Sequence, residues 1–264
     1  MYMRLLYFVM FCSILFNTIK AETYNLKSGD EEQIVNEVKT VNPFSFTFGA
    51  DLVSRYVWRG VEFGVDQNGN STPHFQPTAS LTYSLPGSST VSLGFWGSYG
   101  FNGNYSENDI YFNAFVPTEV IDFSVTLNDY YYPYLGIPFS DFNSDGNGAH
   151  TIDAQLAVTL KSYLPVSLLI SNNIFNDLPD NKSLYLELGY SFAIENTSIG
   201  LFAGAAKGHS VWHSVNTDKF EFVNVGFKVN KSIKITEDYS LPVGIQWIYN
   251  HHLKKTFLVF KVTI

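Results

Sequence analysis

The chain has 264 residues, of which 45% are hydrophobic, 17% aromatic and 15% charged, with a formal charge of −8, a pI near 5.2 and a mean hydropathy of zero. So many aromatics with so few charges exclude a disordered chain, which cannot bury enough apolar surface to offset its ordering entropy. The acidic balance disfavours a nucleic-acid partner, because phosphate attracts the opposite sign.

Residues 1–21 have the three parts of a cleavable secretory signal: a basic start at Arg4, an apolar run over 5–15 and a polar stretch ending at Ala21. The apolar run is shorter than the ~20 residues a membrane-spanning helix needs. Cys12 is the chain's single Cys and lies inside this signal, so disulfides cannot staple the exported protein. Taking Arg4 and Lys20 from the 16 basic residues leaves 14 against 24 acidic ones, a mature charge of −10. Residues 22–42, with Asp30, Glu31, Glu32 and Glu37, are polar and read as an exposed periplasmic tail.

From Phe44 onward the pattern has period two, the mark of strands with unlike faces. One face of the first run reads Phe44, Phe46, Phe48, Ala50, Leu52, Ser54, Tyr56, Trp58, the other Ser45, Thr47, Gly49, Asp51, Val53, Arg55, Val57, Arg59, which predicts one long strand. The runs 74–85 and 90–101 flank Pro86-Gly87-Ser88-Ser89 and form a hairpin. Similar runs follow at 109–116, 120–131, 150–161, 165–173, 183–194, 198–206, 219–229, 241–249 and 255–264, about twelve in all. Short turns alternate with longer polar loops at 60–73, 132–149, 174–182 and 207–218; the stretch 230–240 is a longer turn holding Ile233 and Ile235.

An even count of strands near the ~9–11 residues of a tilted membrane strand, with short turns at one end and long loops at the other, predicts an all-β fold, an antiparallel up-and-down outer-membrane barrel over 43–264. A soluble sandwich or lipocalin-like barrel also alternates. However, the less apolar face here is built from Ser, Thr, Gly, Gln and Asn, which suits a confined wet interior better than the Lys and Glu of a soluble surface. The apolar face would meet lipid and lipopolysaccharide, with aromatic girdles at Tyr56 and Trp58, Tyr99 and Phe101, 130–134, Tyr190 and Phe192, and Trp247 and Tyr249. Leu258, Phe260, Val262 and Ile264 share one face of a closing last strand, the segment by which barrel-assembly machinery would take hold.

The run Ala50-Asp51-Leu52-Val53-Ser54-Arg55-Tyr56-Val57-Trp58-Arg59-Gly60, followed by Gln76-Pro77, resembles the TorF family of porins of Gram-negative bacteria; Asp129-Tyr130-Tyr131-Tyr132-Pro133 and Ser240-Leu241-Pro242-Val243 are weaker echoes. The resemblance implies an outer-membrane barrel and a pore, and supplies neither a substrate nor a catalytic residue.

Pore-lining candidates are Asp51, Arg55, Arg59, Gln76, Trp96, Asp122, Asp153, Gln155, Glu187, Glu221, Lys228 and Lys261. Arg55 and Arg59, the only mature arginines, either shape the field in the lumen or serve structure through an Asp51–Arg55 pair. Acids outnumber bases among these candidates, and the loop acids Asp66, Glu107, Asp141, Asp145, Asp177, Asp180 and Asp218 add to the excess, which leans toward cations or neutral solutes. Trp96, Tyr185 and Phe202 would narrow a pore that twelve strands already keep small.

Asp141-x-Asn143-x-Asp145-Gly146 matches the first half of a calcium loop, but its twelfth position is Ile152 in place of Glu, so a polar loop is the default reading and no metal is expected. His209, His213 and His251-His252 read as loop histidines. No nucleophile elbow, zinc helix, phosphate loop or dinucleotide motif is present, and neither an enzyme nor a cofactor is expected. The function these features predict is passive diffusion of small polar solutes; the rivals are a non-conducting adhesive barrel acting through its loops and a membrane-embedded hydrolase.

Overall fold

The computed structural model describes residues 42–161, 165–177, 183–210, 212–213 and 215–264. The signal segment and all of the polar tail before residue 42 lie outside these. Fourteen strands are formed among the described residues: β1 (Phe44–Val53), β2 (Tyr56–Trp58), β3 (Val61–Phe63), β4 (His74–Ser84), β5 (Thr90–Gly100), β6 (Ser106–Pro117), β7 (Ile121–Tyr131), β8 (His150–Leu160), β9 (Val166–Phe175), β10 (Leu184–Ile194), β11 (Thr197–Ser210), β12 (Val215–Lys234), β13 (Ser240–Asn250) and β14 (Lys255–Thr263).

Twelve of them close into a barrel in the order β1-β14-β13-β12-β11-β10-β9-β8-β7-β6-β5-β4, and β2 with β3 makes a separate two-stranded sheet. Every neighbouring pair is antiparallel, so each wall strand after β4 follows its predecessor through a hairpin, and the ring is sealed where β1 meets β14 at Asp51↔Thr263, Leu52↔Val262 and Val53↔Lys261. Closure leaves the wall without a free edge, the condition for a strand-built protein in lipid.

The period-two pattern sets which face goes where, because a slip of one residue would turn every side chain over. Phe46, Phe48, Leu81, Leu93, Phe123, Val125, Leu188 and Phe260 point outward and are exposed, Phe48 to 83%. A soluble monomer rarely leaves so broad an apolar belt uncovered. The opposite face carries Thr47, Ser80, Thr82, Ser92, Asn113, Ser124 and Thr126, which pair across strands inside the barrel, as in Thr47–Ser80 at 2.7 Å and Thr82–Ser92 at 2.8 Å.

At one end the turns are tight. Pro86 opens a 3₁₀ turn with Gly87 at φ +78°, and Thr118 accepts the Ile121 N–H at 2.9 Å through its hydroxyl. The stretch 230–240 is mostly strand: β12 continues to Lys234 opposite Ser240, and only 235–239 turn. The other end carries the longer connections.

The first run departs from the expected single strand. Backbone ladder ends at Val53, the chain bends at Ser54 and Arg55, and residues 56–63 leave the wall as the β2–β3 hairpin. Tyr56 and Trp58 are therefore not girdle residues. Tyr56 is buried against Trp96 (5.4 Å between ring centroids), Tyr105 (5.9 Å) and Phe63 (5.5 Å), and half-buried Trp58 packs on Tyr130 (5.7 Å). Tyr130 and Tyr132 are likewise buried in the interior. The alternation of β1 continues unbroken through 58, so periodicity alone could not show the chain turning into the barrel.

Candidate functional site

The hairpin is made by its turn. Tyr56↔Phe63, Val57↔Glu62 and Trp58↔Val61 are paired, leaving Arg59 and Gly60 as a two-residue connection with φ of +48° and +78°. Positive φ at both central residues is what a type I′ turn requires, and that turn matches the twist of a tight hairpin. Arg59 pays a small strain that Gly60 does not, since a side chain crowds the left-handed region.

The tip of the hairpin lands across the ring from β1, on β8, β9, β10, β12 and the connection between β11 and β12. Arg59 Nη2 donates to Asp153 Oδ2 at 2.8 Å and to Ser171 Oγ at 2.6 Å, and Nη1 lies 2.9 Å from His213 Nε2. Ser171 Oγ donates to Asp153 Oδ1 at 2.6 Å, while Tyr130 and Gln155 each donate to Oδ2 at 2.9 Å. The guanidinium lies 4.2 Å from the ring centre of Trp58 and 4.7 Å from that of Tyr185. Arg59 and Asp153 are both buried, and a buried pair is tolerable only when its remaining donors and acceptors are met in this way. A planar, permanently charged fork suits such a site where lysine would not.

Two bulges help to receive the tip. The β11–β12 register shifts between Gly204 and Ala205, leaving Val223 as the extra residue, and the β8–β9 register shifts between Ile152 and Asp153. Bulges re-aim local groups. The Val223 carbonyl comes so close to Gly60 that a Cβ there would sit 1.7 Å from its oxygen, and Asn250 Nδ2 donates to the Gly60 carbonyl at 3.0 Å.

His213 has a fixed role in this latch. A guanidinium has only donors, so Nε2 must accept and the ring proton sits on Nδ1. Burial first, and then the Arg59 charge, push the imidazole down to about 3, with Asp153 pulling the other way. Below the tip, Val57 packs on the inward apolar cluster of Val53, Phe202, Ile248, Phe257 and Val259. Among the described residues, the hairpin thus spans the lumen and rests on its far wall.

The sequence-derived lining residues divide into two groups. Asp153, Gln155 and Arg59 meet in the latch, and Trp96 packs on Tyr56. Elsewhere, Asp51 accepts from Lys261 Nζ at 3.0 Å and from Thr263, so it does not pair with Arg55, whose nearest carboxylate is Glu62 at 3.4 Å. Asp122 pairs with Lys161 at 2.9 Å, Glu187 accepts from Tyr185 and from Asn224 (2.8 Å), and Glu221 lies 4.0 Å from His252. Gln76 donates to Ser98 Oγ at 3.2 Å. Gln76, Arg55, Lys228 and Lys261 border a hollow of about 270 Å³ beneath the hairpin. The count of acids therefore misleads about the interior, because most of them are already engaged by hydrogen bonds or cations.

Glu107, expected in an outer loop, is buried inward on β6, where Tyr105 donates to it at 2.7 Å, with Asp109 two residues on. Asp218 belongs to β12, and Asp180 lies outside the described residues. Asp66 accepts from Asn68 and Asn70 in its own loop. Asp141 and Asp145 likewise accept the N–H two residues on, from Asn143 and Asn147, both at 3.1 Å. Their oxygens close turns, and no group of three metal-ligating side chains occurs among the described residues. The sequence reading missed His213 and Ser171 as partners of Arg59. An Arg-Gly pair between Tyr-Val-Trp and Val-Glu-Phe was the available signal, being a turn dipeptide flanked by alternating apolar residues.

A comparison with curated proteins gives no match. The family model described as a bacterial protein of unknown function, Gcw_chp, matches residues 37–259. That span takes in the wall from β1 into β14 together with the lumen hairpin and all its contacts, and the chain belongs to the Gcw_chp family.

Proposed function

We propose that this protein is a porin-like barrel of a bacterial outer membrane, exported by a cleaved signal, that passes small polar solutes when the β2–β3 hairpin leaves the lumen. The observation that carries the reading is that the obstruction is a sheet of its own. It shares no strand ladder with the wall, so it can move while every barrel hydrogen-bond ladder stays intact. The exposed apolar belt supports a lipid setting with lipopolysaccharide at the outer leaflet, and the neutral polar interior supports passage of hydrated solutes. The resemblance to TorF porins points the same way. In this reading β14 is the segment engaged by barrel-assembly machinery, and the chemistry of transport needs no catalytic residue.

The test is single-channel recording in planar bilayers. Wild-type protein should show a mostly closed state with brief openings, and a variant in which 56–63 is replaced by a short Gly-Ser link should conduct steadily. A link variant that migrates as a folded barrel yet conducts no more than wild type overturns the pore reading and leaves a non-conducting barrel that acts through its loops.

A further inference from the structure

Beneath the hairpin the interior changes character. The hollow of about 270 Å³ is bordered by three cations, Arg55, Lys228 and Lys261, and by the neutral amides Gln76, Asn230 and Gln246, with no carboxylate on its lining. Asp51 and Glu62 hold Lys261 and Arg55 from outside that lining, at 3.0 and 3.4 Å. Each pair is thus a dipole whose positive end faces the hollow. Lys228 has no carboxylate within ion-pair distance among the described residues; its stem lies over Gly200, where a Cβ would meet Cε at 2.8 Å, so the glycine makes room for it. The Arg55 Nε atom is buried without a hydrogen-bond partner. Asn230 and Lys261 also border a second hollow of about 490 Å³ toward the short-turn end, beside the 195–196 turn, where Glu195 is the one carboxylate on the lining. The basic site is therefore continuous with that mouth of the barrel.

From this arrangement we propose that the hollow is a binding subsite for a small oxyanion, the phosphate or carboxylate group of a free solute. The ammonium of Lys228 is the primary contact, Arg55 and Lys261 add charge-assisted hydrogen bonds, and the three amides complete the donor set. The volume falls just under the ~300–1,000 Å³ of drug-sized ligand pockets, which fits a solute of only a few heavy atoms. The acid-rich composition by itself leans toward cations or neutral solutes. Most acids of the interior, however, are held by partners or buried, and the lining of this hollow carries cations and no carboxylate. The subsite's role in selecting solutes rests on the pore reading, whereas binding itself can be measured without conduction.

The experiment is calorimetric titration of the refolded full-length barrel in detergent micelles with inorganic phosphate, and separately with acetate, against a chloride background. One saturable site is expected. Lys228→Gln should weaken it at least tenfold, Lys228→Arg should retain it, and Lys234→Gln, which removes the same charge elsewhere on β12, should leave it unchanged. Lys261→Gln gives a second loss-of-charge variant should Lys228→Gln fail to fold. No saturable heat, or equal affinity in wild type and the loss-of-charge variants, overturns the subsite. A barrel that binds phosphate but never conducts keeps the subsite and overturns the pore, while a barrel that conducts without binding phosphate does the reverse.

Discussion

Arg59 and Asp153 meet at 2.8 Å although β1, which delivers the arginine, and β8, which bears the aspartate, stand on opposite sides of the ring. This ion pair is the charged centre of the bonds that hold the free end of the hairpin, beside those to Ser171, His213 and Asn250. Removing one partner of a buried pair typically costs about 3–5 kcal/mol, because the other charge is left uncompensated. Arg59→Ala should therefore raise the open fraction in bilayers by roughly two to three and a half orders of magnitude, at about 1.4 kcal/mol per factor of ten. Arg59→Met with Asp153→Leu should restore much of the stability in thermal unfolding. Equal melting of the single and double variants would argue against the pair as the latch.

Acid should open the same latch. His213 can accept from Arg59 only when neutral, and its folded value of about 3 lies below the ordinary 6.5. The undocked state therefore binds more protons between these values. Docking is fully favoured above about 6.5 and weakens as pH falls toward 3. Open probability measured across that window should climb with acidity in wild type, and much less in His213→Gln, whose amide oxygen can accept from Arg59 without titrating.

Two glycines separate steric from conformational effects. Gly60 and Gly69 both have positive φ, +78° and +80°, but a Cβ at Gly60 would strike the Val223 carbonyl while one at Gly69 meets nothing within 4 Å. Gly69→Ala should cost about 1–2 kcal/mol of backbone strain and leave conductance alone. Gly60→Ala should unseat the hairpin and give openings like those of the Gly-Ser link variant. Similar closed-state recordings for both would mean that the tip does not sit against β12.

Membrane placement can be tested on the outward face. Leu93→Arg puts a charge on a residue that is 57% exposed in the apolar belt. In lipid vesicles the change should destabilise the barrel by about 2–4 kcal/mol if Leu93 lies near the midplane. Ser92→Arg, pointing inward, should change conductance with a smaller effect on folding. Unfolding titrations in urea, with vesicles present, compare the two.

The wall was legible in the sequence because its physics is local. A residue such as Phe95 or Leu188 declares its face by its neighbours two positions away, and the turn at Pro86-Gly87 declares its own geometry. The hairpin was not legible for a related reason: Tyr56 and Trp58 keep the parity of Phe46 and Phe48, and nothing in that parity distinguishes a lipid-facing aromatic from one folded into the lumen. Partners such as Arg59 with His213, or Tyr105 with Glu107 beside Tyr56, depend on where the chain re-enters the interior. That is a long-range choice made by packing and charge satisfaction, and a one-dimensional pattern does not encode it. The same blindness made Glu107 look like a loop acid and Asp51 look like a partner for Arg55.

The joint between β1 and β14 spans three residue pairs, against ten between β1 and β4. At its upper limit Ser54 takes over, giving its N–H to the Phe260 carbonyl at 2.9 Å and accepting the Phe260 N–H through its hydroxyl at 2.9 Å. Ser54 is also where the chain swings inward. The stopper and the first stave of the cask are consequently cut from one piece of chain: in the pore reading residues 56–63 swing about Ser54 while the wall ladders hold, and that pivot lies on the shortest join in the cylinder among the described residues.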